Sequence, residues 1–214
     1  TGTIISKDNL DNLVKIISKY NLWVLSDEIY ERIDYDKKHI SLLEYPLIRD
    51  KLLLTNGFSK SHCMTGYRLG YLIANSKVIR DITKLQSHIC TCPNTIAQKT
   101  ALAFMDNRIE INNLISGMVA DLKVRRKILV ELFSKLEIPF WKPDGAFYFF
   151  VDISKLLKSN ENDINFTDYL LKNNIAVVPG SYFGLGNHIR ISYGCDQNDF
   201  NKAIEIFNKI LISL

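Results

Sequence analysis

The 214 residues are 47% hydrophobic with a mean hydropathy near zero, which suits a globular chain with a sizeable core and excludes a disordered or fibrous one. The formal charge of +4 is spread along the sequence rather than gathered into blocks, so it leaves no footprint for nucleic acid or a membrane surface. No run approaches the eighteen apolar residues of a membrane span and no leader pattern is present, so a soluble chain without nucleic-acid or membrane partners is expected.

Ser6 is placed to cap a helix in which Leu10, Leu13, Val14 and Ile17 recur at helical spacing. "LWVLSDE" (22–28), "KLLLTNG" (51–57) and "YRLGYLIAN" (67–75) are apolar runs too short for helices and bounded by Gly, Asn or acids, so they read as strands. Helices follow at about 76–88 and 95–106. This alternation predicts an α/β domain, part of a mostly parallel sheet with helices on both faces. In such sheets chemistry gathers at the C-terminal ends of strands. Asp27 and Lys60 both stand at that end.

From Arg108 to about Leu136 the apolar positions hold one face over many turns, predicting a long connecting helix. "GAFYFFVDI" (145–153), "IAVVPG" (175–180) and "HIRISYG" (188–194) are strand-like, and Phe200, Ala203, Ile204, Phe207, Ile210, Leu211 and Leu214 line a closing amphipathic helix. The expected organisation is therefore residues 1–107 in the larger domain, and 108–214 as the long helix with a smaller α+β domain. The opening "TGTIISKDN" runs into a helix with no strand before it, and three strands are few for two helical layers. An N-terminal half outside these residues is the expectation.

The four cysteines, Cys63, Cys90, Cys92 and Cys195, fit a reducing compartment, since a chain of this size has no need of disulfide staples. "HICTC" (88–92) lacks a second ligand pair at zinc spacing, so no metal is expected and buried or half-buried thiols are.

Seven motifs in order, "TGT" (1–3), "SDEIY" (26–30), "NGFSKSHCMTGYRLGY" (56–71), "LQSHICTCPNTIAQKTAL" (85–102), "KPDGAFYFF" (142–150), "VVPGSYFG" (177–184) and "HIRISYG" (188–194), resemble the pyridoxal-phosphate-dependent aminotransferases of fold type I, class I/II. The resemblance covers the whole chain and corresponds to the C-terminal half of such an enzyme. It implies pyridoxal 5'-phosphate as cofactor, and transfer of an amino group between an amino acid and a 2-oxo acid in a homodimer, with a cytoplasmic location expected. The family's asparagine facing the cofactor oxygen, its ring-stacking aromatic and its glycine-rich phosphate loop would precede Thr1.

Residue by residue, the resemblance gives Asp27 the proton on the pyridine nitrogen and Tyr30 a hydrogen bond to the phenolic oxygen. Lys60 becomes the Schiff-base amine and proton carrier. Ser59 and Arg68 are assigned to the cofactor phosphate, which Arg's fork of donors suits. Arg190 is assigned to the substrate α-carboxylate. Taken singly, each has a plainer reading: a solvated strand-end acid, a core tyrosine, a surface lysine, a strand-end salt bridge. Glu28 matches its motif without a chemical need and reads by default as a surface or supporting acid. Related chemistries, a carbon-sulfur β-lyase or an acyltransferase, share Asp27 and Lys60. A non-enzymatic alternative is the effector-binding half of a pyridoxal-dependent transcription regulator.

Overall fold

The computed structural model describes residues 1–213, so Leu214 of the predicted closing helix lies outside the described residues. The chain divides into two compact units, Ile5–Met118 and a second made of Thr1–Ile4 with the residues from Val119 onward. The division falls inside the long helix, where the sequence reading put a boundary at its start.

In the first unit, α1 (Lys7–Lys19) begins where the Ser6 hydroxyl accepts a bond from the Asn9 amide at 3.4 Å, satisfying one of the amides that a helix start leaves without a partner. Strands β1 (Val24–Asp27) and β2 (Leu52–Gly57) pair in parallel, with Asp27 opposite Thr55. β3 (Gly70–Ile73) pairs antiparallel to β2. The expected α/β arrangement is present, and of the two pairings in this part of the sheet one is parallel and one antiparallel. Between β2 and β3 the chain makes only a short 3-10 turn, Thr65–Tyr67, whereas a parallel return needs a long crossover, usually helical. Leu10, Val14 and Ile17 of α1 pack with Leu42, Ile48, Leu52 and Leu54 into one buried cluster. Strand alternation then sends Leu25 and Asp27 to the opposite face, where Leu25 is 70% exposed. Helices α2 (Ser76–Cys90) and α3 (Thr95–Asp106) follow, each capped by an asparagine side chain, Asn75 and Asn94. No residue of α2 is buried.

Helix α4 (Arg108–Lys135) leads into the second unit. There β4 (Phe140–Trp141), β5 (Tyr148–Asp152), β6 (Val178–Pro179) and β7 (His188–Ser192) form an antiparallel sheet in the order β4-β5-β7-β6. Helix α5 (Asp163–Lys172) precedes β6, and α6 (Gln197–Ser213) closes the described chain. Phe133 of α4, fully buried, meets Phe149 of β5 at 5.4 Å and Phe207 of α6 at 5.7 Å between ring centres. The predicted apolar positions of α4 from Leu122 onward and those of α6 thus supply this core, while Leu114, in the first unit, is 63% exposed.

Gly2 ties the start of the chain to this unit. Its carbonyl accepts from the amides of Asp144 and Gly145 at 2.8 and 2.9 Å. Its φ of +74° is one that glycine adopts at no steric cost. A Cβ there would also meet Pro143 at 2.6 Å. Among the described residues, no helix is long and apolar enough to cross a membrane.

Candidate functional site

Sheet geometry brings the predicted residues of the first unit to one end. Asp27 closes β1, and the next amide, of Glu28, donates to the Thr55 carbonyl at 2.9 Å, carrying the parallel pairing one step further. β2 ends two residues later at Gly57. Lys60 follows in the connecting loop, and Arg68 stands just ahead of β3, whose Gly70 pairs with Gly57. The tips of three adjacent strands therefore present Asp27, Lys60 and Arg68 at the same end of the sheet.

The loop holding Lys60 is pinned from beneath. Phe58 and Met64 are buried together with Ala101 of α3, and the Met64 amide donates to the Phe58 carbonyl at 3.2 Å. Burying two such side chains is worth about 1.5–3 kcal/mol each. That anchors both ends of a short arch whose crest is Ser59 and Lys60, both half-buried. Cys63 and Arg68 adopt left-handed φ values of 54° and 53°, a conformation uncommon outside glycine that tight loops use to reverse direction. The Arg68 Nη1 donates to the Thr65 carbonyl at 3.0 Å, and its side chain is otherwise exposed.

Tyr30 lies in the turn after β1, whose amides from Glu31 and Ile33 donate to the carbonyls of Glu28 and Tyr30. The Lys60 Nζ stands 5.8 Å from the centre of the Tyr30 ring, within the range of a cation over an aromatic face. The Asp27 Oδ1 accepts from the Ile29 amide at 3.2 Å while the residue remains exposed. An acid, an amine, a phenol and a guanidinium are thus carried at one end of the sheet, with the amine and the phenol ring in contact. This donor set suits an anionic aromatic cofactor of the pyridoxal phosphate type: carboxylate for a pyridinium, amine for an aldehyde, hydroxyl and guanidinium for a phosphate. A separate hollow of about 270 Å³ beside the loop is lined by Arg32, His62, Tyr71, Phe104 and Arg108 among others, but not by Asp27, Tyr30 or Lys60.

Of the two sequence readings of Glu28, a surface acid or a supporting one, its burial fits the second. It is 4% exposed. The Ser26 hydroxyl donates to its carboxylate at 3.0 Å and the Leu42 amide at 3.1 Å, and His39 Nε2 lies 3.0 Å away. Burial pushes the carboxyl up, but the donors from His39, Ser41, Leu42 and Ser26 outweigh it and leave it below its ordinary value. The same bond to Glu28 raises the His39 imidazole above its ordinary value against burial. Strand alternation was the signal: residues 24, 26 and 28 share the face turned toward α1. Ligand atoms of Glu28, Glu31 and His39 lie within 4.8 Å of one another, yet the Glu28 carboxylate is already filled by these donors.

Arg190 belongs to the other unit. On β7 it pairs with Phe150 of β5 and Val178 of β6. Its guanidinium is half-buried between the rings of Tyr148 and Phe183, 4.4 and 4.5 Å from their centres. Its Nε is buried without a hydrogen-bond partner among the described residues. The cysteines correct another expectation: all four are free and exposed. Cys90 and Cys92 flank the end of α2, a helix that buries nothing, and Cys63 sits on the loop arch.

Comparison with known proteins agrees with this geometry. The family model "Aminotransferase class I and II" matches residues 1–207. An aspartate aminotransferase of Thermotoga maritima is 36% identical over 214 residues, covering 100% of this chain and 54% of the relative. A bifunctional aspartate and glutamate/aspartate-prephenate aminotransferase of Petunia hybrida is 35% identical, covering 100% and 47%. Among solved structures, an aromatic aminotransferase from Pyrococcus horikoshii superposes with a TM-score of 0.91 at 31% identity, covering 100% of this chain and 57% of that one. The chain spans about half the length of the relatives it matches. The fold, the strand-tip residues and the family match converge, and the chain belongs to the class I and II aminotransferase family.

Proposed function

We propose that this chain is the lysine-bearing part of a pyridoxal-phosphate-dependent aminotransferase, moving an amino group between an amino acid and a 2-oxo acid. The observation that carries the reading is the Lys60 amine 5.8 Å from the Tyr30 ring, at the same sheet end as Asp27. When bound, the cofactor supplies an electron sink for the substrate's α-carbon.

The chain's own residues do the rest. The Asp27 carboxylate holds the proton of a pyridine nitrogen: opposite charges about 4 Å apart at an effective dielectric near 20 attract by roughly 4 kcal/mol. The Tyr30 hydroxyl donates to a phenolic oxygen, favouring its deprotonated form. Ser59 and Arg68 bind a phosphate, and Lys60 takes and returns the substrate's α-proton. Arg190 grips a carboxylate through two parallel bonds, a task for which its flat, ring-clamped fork is pre-shaped.

Relatives are named for aspartate, prephenate and N-acetyl-LL-diaminopimelate, so the substrate class is drawn at what these share, an amino or oxo group beside a carboxylate. Homodimeric assembly rests on the family likeness. A cytoplasmic location is proposed from the unpaired cysteines.

Reductive trapping tests the reading. The chain is incubated with pyridoxal 5'-phosphate, reduced with borohydride, and its peptides mapped. Label concentrated on the peptide holding Lys60, and lost in Lys60→Ala, is the expected result. Label spread over surface lysines equally in both proteins would overturn the assignment.

A further inference from the structure

We propose that Glu28 is a positioning residue, whose buried carboxylate locks the strand-end turn that presents Asp27 and Tyr30. The proposal rests on the reading above only for what those two residues then do. Glu28 and Asp27 are neighbours facing opposite ways: Asp27 outward at the strand tip, Glu28 inward toward the core beneath α1. Glu28 is held from every direction available to it. Its amide donates to the Thr55 carbonyl of β2, its own carbonyl accepts from the Glu31 amide, and its carboxylate collects Ser26, His39 and Leu42. The donors come from two places in the sequence, the strand itself and the stretch His39–Leu42. Rotating the turn would break several of these bonds at once.

An ionised carboxylate is a costly way to fill core space, since an apolar side chain of similar volume packs there without a desolvation penalty. What a carboxylate adds is direction. Its two oxygens receive donors only along defined approaches, so its orientation, and the turn attached to it, is specified. The turn from Asp27 to Ile33 carries both groups assigned to the ring of the cofactor. Ile33, 1% exposed, closes it from the far side.

Amide hydrogen exchange by NMR tests the proposal without any cofactor. The turn is reported by the amides of Glu31 and Ile33, and the core by those of Ile17 and Leu54. In Glu28→Ala the two turn amides are expected to exchange at least about tenfold faster, equivalent to about 1.4 kcal/mol of local opening, while the core amides keep their rates. Glu28→Gln retains an oxygen that can accept from Ser26 and Leu42, so it should recover most of the protection. Glu28→Met fills a similar volume without an oxygen acceptor and should not recover the protection; recovery in Met equal to that in Gln would mean that the residue only fills space, and would overturn the proposal. Unchanged turn amides in Glu28→Ala, or one common factor across turn and core, would overturn the proposal. If Glu28→Ala does not fold, His39→Leu removes one side-chain donor to the carboxylate alone, and wild-type rates at Glu31 and Ile33 in that variant overturn it equally. Failure of Lys60 to trap pyridoxal phosphate counts against the proposed function and leaves these exchange rates to decide the role of Glu28.

Discussion

Replacing Gly70 with alanine tests how closely the two strands beside the lysine loop must approach. Gly70 and Gly57 form a cross-strand pair. A Cβ at Gly70 would sit 2.8 Å from the Asn56 carbonyl oxygen, about 0.6 Å short of an ordinary contact beginning at 3.4 Å. Its obstacle is backbone, which cannot swing aside as a long side chain can. Overpacking of this kind costs about 1–3 kcal/mol. Alanine's smaller unfolded-state entropy returns roughly 0.4–1 kcal/mol, so the steric effect wins. A net loss of about 1–2 kcal/mol corresponds to a fall of roughly 5–10 °C in melting temperature for a domain near 100 residues. Circular dichroism melts of wild type and Gly70→Ala measure it directly. Because Asn56 and Gly57 lead straight into the arch of Phe58 to Lys60, the variant should also trap pyridoxal phosphate more slowly at Lys60. A melting temperature equal to or above wild type would show that the strands can separate at no cost, and the steric argument would be wrong.

Three further outcomes are expected. The Glu28 carboxyl is lowered in the folded chain, so its contribution is present above its ordinary value of 4.5 and lost as pH falls through the depressed one. The His39 imidazole is raised, so its contribution is complete below its ordinary value of 6.5 and lost as pH rises through the folded one. Urea midpoints across pH should therefore peak between these limits, and Glu28→Gln should flatten both arms; an unchanged profile in that variant would locate the pH dependence elsewhere. Phe133→Ala empties a site with 0% exposure among three aromatic neighbours, and should cost about 3–5 kcal/mol in urea unfolding of the unit after Val119; a loss under about 1 kcal/mol would mean the rings close the gap. Arg190→Lys keeps the charge but loses the flat fork, and should weaken amino-acid binding by about 10–100-fold, the equivalent of the 1.5–3 kcal/mol of a charged hydrogen bond. Calorimetric titration reads this, and equal affinity in the two proteins would remove Arg190 from the carboxylate site.

Much of the candidate site could be read from local pattern, because strand ends and helix starts are written locally. Asp27 and Lys60 were placed at strand tips by short apolar runs ending in Asp, Asn and Gly, and Ser6 was placed as a cap by its position before a periodic helix. What escaped was nonlocal. Whether β3 runs parallel or antiparallel depends on the path of a loop, not on the residues of the strand. The ring clamp on Arg190 joins Tyr148 on the paired strand to Phe183 in a turn before β7, contacts set by register across the sheet. Glu28 lay within reach of alternation, but a carboxylate goes against the usual expectation that buried positions are apolar, and its partner stretch His39–Leu42 has no periodicity to announce it. The cysteines misled in the other direction: small apolar residues favour interiors in general, yet these four sit on a loop, a helix end and a strand exit left open to solvent.

The hold of Asp144 and Gly145 on Gly2 makes Ile5–Met118 an insertion within the other unit, entered and left by two covalent crossings. During vectorial synthesis, Thr1–Ile4 must therefore wait on the ribosome's output until the stretch around Pro143 emerges, while the inserted unit can complete its own core beforehand. A protease nick after Ile4 would leave Ile5–Met118 joined to the residues from Val119 onward, whereas a nick after Met118 would leave it attached to Thr1–Ile4 alone, which Gly2 ties to the rest of its unit without a covalent bond.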